Sequence, residues 1–316
     1  MKLKTSNLRE AGLIVIIAVL CIAMSFASEF FLTWENMRAM LLSFAIEGIV
    51  VVGMTVLLIV GGIDLAVGSV VCLAMVIVGA LFLMGMDPWS ASLIAIAASA
   101  GIGLLMGLCV TKIGLSHFIA SLAFMVIARG LSLAITQGTP QSLFTLPPEF
   151  KAIGQGTVGG VPIVIIIFAV IVIVSDFVLR KSTLFRKVFY TGSNERAAMY
   201  AGINVNRVKL WVTVLCATMS GIAGVIYTAR FGAATPTFGV GMELNVIAAA
   251  VIGGASLKGG SGTIYGAVLG LALLSVVTSS LILLDVSVYW QDVIKGGILL
   301  LAVSLDHWMN TRKARK

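Results

Sequence analysis

Five ionisable side chains interrupt long apolar stretches of this sequence. They are Glu47, Arg129, Asp176, Asp292 and Lys295. A charge inside an apolar run of this kind is costly to insert into a membrane, so it usually faces the protein interior or a water-filled cavity and carries function. Carboxylate acceptors together with cationic donors can bind a ligand that is rich in hydroxyl groups. These residue types therefore indicate a polar pathway through an apolar protein.

Local pairing is the alternative explanation for most of these charges. Asp292 and Lys295 are three residues apart, so they share a helix face and can form a salt bridge. Asp176 lies one helical turn before Arg180, which predicts an ion pair at a helix end. For Arg129, structural pairing and a place in the pathway are equally open.

Glu47 is harder to explain locally, because it lies eight residues inside a predicted apolar segment. Glu243 and Asn245 open a short apolar segment, and we expect them to cap it at the outer mouth of the protein.

Composition identifies the elements that must position these side chains. The 316 residues are 59% hydrophobic and 11% charged, whereas soluble domains carry about 25% charged residues. This excludes soluble folds, disorder and disulfide scaffolds. The four cysteines lack metal-site spacing, so no metal site is predicted. The apolar runs are too long for barrel strands. We predict an all-α polytopic membrane protein with one domain over residues 1–316.

About ten transmembrane or re-entrant helices are predicted from the apolar runs. They cover residues 11–29, 39–60, 65–86, 90–112, 117–137, 161–179, 210–230, 244–256, 262–284 and 287–305. The eighth is too short to cross a bilayer straight, which is typical of a re-entrant or broken helix. The first could be a signal peptide, but no clean cleavage site follows it, which favours a retained helix.

Basic residues predict the orientation of these helices. With alternating segments, most of the 21 Lys and Arg residues fall on the side that holds both termini. The positive-inside rule then places the N- and C-termini in the cytoplasm. This topology accounts for the net charge of +8, so we predict no nucleic-acid partner.

Two glycine-rich breaks interrupt the hydrophobic pattern. The first contains Gly61, Gly62 and Gly68, and the second contains Gly253 and Gly254. Each follows one apolar run and opens another. Their offset of 192 residues, from 61 to 253, hints at an internal repeat, a common feature of transporters. Ordinary tight turns between helices are the alternative.

The polar segment at about 180–209 faces the cytoplasm in this topology. Ser193 or Asn194 can cap a short helix there, and Gly202 can end it. The residues alone leave two functions open. The helix could lie on anionic lipid, or it could dock a cytoplasmic partner.

Motifs for catalysis are missing from the sequence. It contains no GxxxxGK[ST] phosphate loop, no HExxH and no GxSxG. A membrane enzyme therefore lacks a nucleophile–base pair, and any ATP hydrolysis must occur on another chain. An ion-coupled secondary carrier would need a buried carboxylate as its ion site, for which Glu47 and Asp292 qualify.

Four stretches carry a resemblance to a known family. They are Gly53-Met54-Thr55 followed by GGIDLAVGS (61–69), FIASL (118–122) with Arg129-Gly130, GSNERAAMYAGINVNRVK (192–209), and residues 248–262. The chain resembles the membrane permease subunits of bacterial ATP-binding-cassette importers for monosaccharides, of the ribose, xylose, arabinose and galactoside type. Branched-chain amino-acid permeases of the same superfamily are the alternative, but they are less similar in the first motif.

This resemblance implies a mechanism, partners and site residues. Two permease chains, identical or related, would enclose a pathway in the bacterial inner membrane and move a monosaccharide by alternating access. A cytoplasmic ATPase would use ATP and Mg²⁺, so this chain needs no cofactor, and a periplasmic sugar-binding protein would deliver the substrate. The implied coupling residues are Ser193, Asn194, Glu195, Arg196, Ala197, Ala198 and Gly202. The expected pathway residues are Glu47, Asp64, Phe118, Ser121, Arg129, Asn245, Asp292 and Lys295.

Three positions depart from the family pattern. Ala66 replaces a common Ser, Ser121 replaces a common Thr, and Glu47 is not expected at its position. Glu47 is therefore a candidate for tuning the choice of substrate.

Overall fold

The computed structural model describes residues 2–314, so Met1, Arg315 and Lys316 of the predicted domain lie outside the described residues. Thirteen α-helices and four two-residue strands make up this part of the chain. The helices are α1 (Lys2–Ala27), α2 (Trp34–Ile59), α3 (Val67–Leu83), α4 (Pro88–Leu108), α5 (His117–Thr136), α6 (Pro148–Gln155), α7 (Ile163–Lys181), α8 (Thr183–Ser193), α9 (Glu195–Tyr200), α10 (Val205–Phe231), α11 (Met242–Ile252), α12 (Ile264–Leu283) and α13 (Val288–Ala314). The strands are β1 (Gln141–Ser142), β2 (Thr157–Val158), β3 (Val161–Pro162) and β4 (Ala233–Ala234). A π-helical turn, Cys109–Ile113, extends α4.

Each of the ten predicted segments coincides with a helix, which confirms the all-α polytopic class. Within residues 2–314, seven helices are long and apolar enough to cross a membrane. Two more, α3 and α11, are apolar but shorter. The predicted orientation and internal repeat stay predictions.

The core is built around α2, α3 and α10. From Ala45 to Ile59, every residue of α2 except Glu47 is buried. Lipid provides little hydrophobic force between helices, so their association depends on close packing, which small residues permit. Gly103 of α4 packs against Ala217 of α10, where an added Cβ would lie 2.7 Å from the alanine Cβ.

Both glycine breaks end a helix with a residue at positive φ, which glycine adopts without strain. These residues are Gly61 (φ +88°) and Gly254 (φ +106°). Gly254, rather than Gly253, is therefore the counterpart of Gly61, and the structural offset is 193 residues. Similar turns with positive-φ glycines end α3 at Gly85 and α9 at Gly202. The shared geometry is a general helix C-cap and gives no separate support for a repeat.

The chain enters the bundle again between α10 and α11. After α10, β4 pairs with β1 beside Gly79, near one end of α3. Residues 235–241 then run along α3, and Gly239 packs on the backbone of Gly68. At 1.5 Å per residue, Gly68 lies about 16 Å from Gly79 along the helix axis. Helix α11 therefore begins inside the bundle, which explains its short length.

This path corrects one expectation about α11. Its N-cap is Gly241, and no side chain caps the helix there. The prediction that Glu243 and Asn245 cap the helix is wrong, because the N-cap position is a glycine and neither side chain bonds to the first turn. The placement of this end at the outer mouth stays a prediction.

Candidate functional site

A cavity of about 260 Å³ lies between α2, α11, α12 and α13. Its lining combines apolar side chains with amides, hydroxyls and one pair of opposite charges. The lining residues are Asn36, Ala39, Met40, Ser43, Glu47, Asn245, Leu271, Leu274, Ser275, Thr278, Ser279, Ile282 and Lys295. A mostly apolar pocket with a few convergent polar groups is typical of small-molecule sites.

Among the described lining residues, Glu47 is the only carboxylate. It interacts electrostatically with Lys295 in the same lining and with Arg230 at the end of α10. The Ser279 hydroxyl donates to Asn36 Oδ1 at 3.1 Å, which links α12 to α2. Acceptors and donors therefore both face the cavity, and a ligand that bears several hydroxyl groups could satisfy them together.

Three of the eight predicted pathway residues line this cavity: Glu47, Asn245 and Lys295. Asp292 forms the predicted ion pair with Lys295 at 3.7 Å, but its side chain is 74% exposed and lies outside the lining. The other four, Asp64, Phe118, Ser121 and Arg129, also lie outside it.

Sequence reasoning missed several polar lining residues on α2 and α12. They are Asn36, Ser43, Ser275, Thr278 and Ser279. The spacing of seven residues between Asn36 and Ser43, and of three and four residues from Ser275 to Thr278 and Ser279, is a sequence signal for one polar face of each helix. Hydroxyls can also bond to the preceding helical turn, so the signal is weak without the structure.

Asp64 and Ser121 hold the first glycine break in shape. Asp64 is fully buried, and its Oδ1 accepts the Ala66 backbone N–H at 2.7 Å. Its Oδ2 has no hydrogen-bond partner among the described residues. The Ser121 hydroxyl lies 3.3 Å from the Ile63 carbonyl and 3.1 Å from the Phe118 carbonyl, and it can donate to either. Phe118, one turn earlier, is half exposed.

Replacement of Asp64 by Ala is expected to lower the free energy of unfolding by about 1–3 kcal/mol, because it leaves the buried Ala66 N–H unpaired. Asp64→Asn keeps an acceptor at Oδ1 and is expected to cost less. Thermal unfolding of the two variants in detergent, beside the unmodified chain, measures the difference. Equal unfolding temperatures for Asp64→Ala and the unmodified chain would contradict this function for Asp64.

Arg129 pairs with the backbone of residues 235–241. Its Nη1 donates to the Pro236 carbonyl at 3.0 Å and to the Phe238 carbonyl at 2.7 Å. The Cys72 thiol donates to the same Pro236 carbonyl at 3.1 Å. Of the two explanations open for Arg129, the structure supports structural pairing, because the guanidinium fixes the segment that leads into α11.

The α8–α9 segment projects from the end of the bundle where the glycine breaks lie. Asn194 caps α9 by accepting the Ala197 N–H at 3.0 Å, as predicted, while Ser193 is the last residue of α8. Glu195 forms an ion pair with Lys209 at the start of α10.

Most α9 side chains are free for contact with another molecule. Ala198 anchors the helix by its burial, and Gly202 follows it at φ +78°. Met199 is 54% exposed and Tyr200 is 92% exposed, and Arg196 and Ala197 are exposed as well. The result is a short, rigidly capped projection.

Comparisons with known proteins identify permease components of import systems as relatives of this chain. A family model described as "Branched-chain amino acid transport system / permease component" matches residues 36–303. The chain is 36% identical to the ribose import permease protein of Bacillus subtilis, over 91% of this chain and 89% of that protein. It is 32% identical to the D-allose transport system permease protein of Escherichia coli, over 92% and 89%. It is 33% identical to the L-arabinose ABC transporter permease protein of Azospirillum brasilense, over 98% and 91%. No solved structure gives a significant match.

Proposed function

Because this chain belongs to the permease family of ATP-binding-cassette importers, and its relatives import sugars, we propose that it moves a monosaccharide across the membrane by alternating access. It is a multi-pass inner-membrane transport subunit and not an enzyme. Although the family description mentions branched-chain amino acids, the relatives named above favour a sugar. Ribose, D-allose and L-arabinose are the substrates to test first.

The polar cavity is the observation that carries this proposal. Glu47 offers acceptors, Lys295 and Asn245 offer donors, and the α12 hydroxyls offer both. An uncharged monosaccharide presents hydroxyls that fit such a mixture. Eight of the thirteen described lining residues are polar. A transport pathway must release its substrate, so binding is expected to be weak.

The orientation is proposed from the basic residues around α8 and α9. They are Arg180, Lys181, Arg186, Lys187, Arg196, Arg207 and Lys209. The positive-inside rule assigns this end to the cytoplasm. Helix α9 would then meet the ATPase that binds ATP and Mg²⁺, and the opposite end, with β1 and β4, would receive the periplasmic sugar-binding protein.

A second permease chain is proposed to cover α13. The Asp292 side chain is 74% exposed on α13, and a carboxylate that faces hydrocarbon would be costly. Gly296 and Gly297 leave open space where a partner backbone could approach. A second chain on this face would shield Asp292 and close the open side of the cavity.

Reconstitution with the partner proteins tests the proposed function. The chain, its ATPase and its sugar-binding protein are placed in proteoliposomes with ATP inside. Uptake of labelled ribose, D-allose and L-arabinose is then compared with uptake of leucine. ATP-dependent uptake of a monosaccharide is expected. Uptake of leucine alone would support the amino-acid alternative, and uptake driven by an ion gradient without the ATPase would support a secondary carrier.

Glu47→Leu is expected to reduce sugar uptake about tenfold, because a hydrogen bond to a charged group contributes about 1.5–3 kcal/mol. Glu47→Gln keeps one acceptor and is expected to lose less. Initial rates at several concentrations of the loaded binding protein measure the effect. Glu149→Leu, at an exposed position of α6, is the control and should transport normally. Normal uptake by Glu47→Leu would remove Glu47 from the pathway.

A further inference from the structure

Three backbone segments meet at the end of the bundle from which α9 projects. We name this contact the glycine junction; it consists of residues 59–61, 192–193 and 258–260. The Gly260 N–H donates to the Ile59 carbonyl at 2.8 Å, which joins the end of α2 to the second glycine break. The end of α8 packs onto both through Gly192.

Gly192 has no room for a side chain. An added Cβ would collide with the Ile59 carbonyl oxygen and lie 2.7 Å from the Gly260 nitrogen. Both of these atoms belong to backbone and to one hydrogen bond, so a side-chain movement cannot relieve the clash. Gly259 closes the contact from the other side, since a Cβ there would lie 2.7 Å from the Gly192 carbonyl oxygen.

The junction connects the projecting helix to two walls of the cavity. Helix α2 carries Glu47 about 18 Å from its end at Ile59. The second break joins α11, which carries Asn245, to α12, which carries the hydroxyl lining. Only Asn194 separates α8 from α9. A displacement of α9 therefore reaches both walls through backbone contacts rather than through flexible side chains.

From this geometry we infer that Gly192 is a positioning residue that transmits ATPase movement from α9 to both walls of the sugar cavity. The inference rests on the proposed function, because it assumes that α9 docks the ATPase. The glycine junction stays closed through the cycle and moves as one rigid unit.

Gly192→Ala tests this inference because the loss of function expected from it is opposite to the usual effect of a Gly-to-Ala change within a helix. Within a helix, Ala is normally more favourable than Gly, so a change in helix propensity alone would do no harm. The methyl group added in the junction is instead expected to reduce uptake and binding-protein-stimulated ATP hydrolysis about tenfold. Co-purification of the ATPase should be unchanged, and Gly192→Val should be more severe.

Gly101→Ala is the matched control. Gly101 is also helical, in α4, and nothing lies within 4 Å of an added Cβ there. This variant should transport as the unmodified complex does. Normal stimulated hydrolysis by Gly192→Ala would overturn the inference, and so would loss of the ATPase from the purified complex, since the junction would then shape docking instead of transmission.

Hydrogen exchange on the unmodified complex keeps the inference testable if Gly192→Ala does not fold. The Gly260 amide should exchange slowly in both the nucleotide-free and the ATP-bound complex in nanodiscs. Rapid exchange in either state would show that the junction opens and would overturn the inference. Failure of the proposed function would appear differently, as an unmodified complex that takes up no sugar.

Discussion

Glu195→Arg is expected to reduce sugar uptake to background while the chain still inserts into the membrane. Glu195 pairs with Lys209, and an arginine would replace this attraction with repulsion at the base of α9. The few hot-spot residues of an interface each contribute about 2 kcal/mol or more, and we expect Glu195 to be one of them. The affinity for the ATPase should therefore fall about 30-fold or more. Deletion of residues 194–198 removes the helix and should abolish association.

Co-purification of the ATPase with the solubilised chain measures this effect, and uptake by proteoliposomes measures its consequence. Glu149→Arg makes the same charge change at an exposed position of α6 and should retain the ATPase. Normal recovery of the ATPase with Glu195→Arg and with the deletion would count against docking. It would favour the alternative in which α9 lies on anionic lipid.

Arg129→Met is expected to reduce uptake about tenfold or more and to lower the unfolding temperature. The change removes two charge-assisted hydrogen bonds and leaves the Pro236 and Phe238 carbonyls without this donor. A hydrogen bond to a charged group contributes about 1.5–3 kcal/mol. Residues 235–241 should therefore loosen, and Asn245 on α11 should lose its fixed position in the cavity.

Arg129→Lys distinguishes charge from geometry. Lysine retains the cation but lacks the planar guanidinium, so intermediate uptake is expected. Arg38→Met is the control, because Arg38 makes an exposed contact to the Gln155 carbonyl at 3.4 Å. Uptake and thermal unfolding are measured for all three variants. Unchanged uptake and unfolding in Arg129→Met would show that the loop holds its position without the guanidinium.

Local signals in the sequence determined the class of protein and the local contacts of the charged residues. Hydropathy located the ten longer apolar segments, each of which overlaps a helix, because burial in lipid depends on the composition of each segment by itself. The cap at Asn194 and the ion pairs Asp176–Arg180 and Asp292–Lys295 were predictable for the same reason. Each joins residues within one helical turn.

Only the tertiary structure decided which polar groups share a cavity. Glu47, Asn245 and Lys295 come from distant parts of the chain. In the sequence, Asp64 and Arg129 were equally good candidates for the pathway. The latter two pair with backbone instead. Helix neighbours depend on close backbone approaches, such as Gly192 against Ile59 and Gly239 against Gly68. A sequence shows that glycine is present, but it does not show which backbone segment packs against that glycine. The cavity and the glycine junction therefore appear only once the helices are packed.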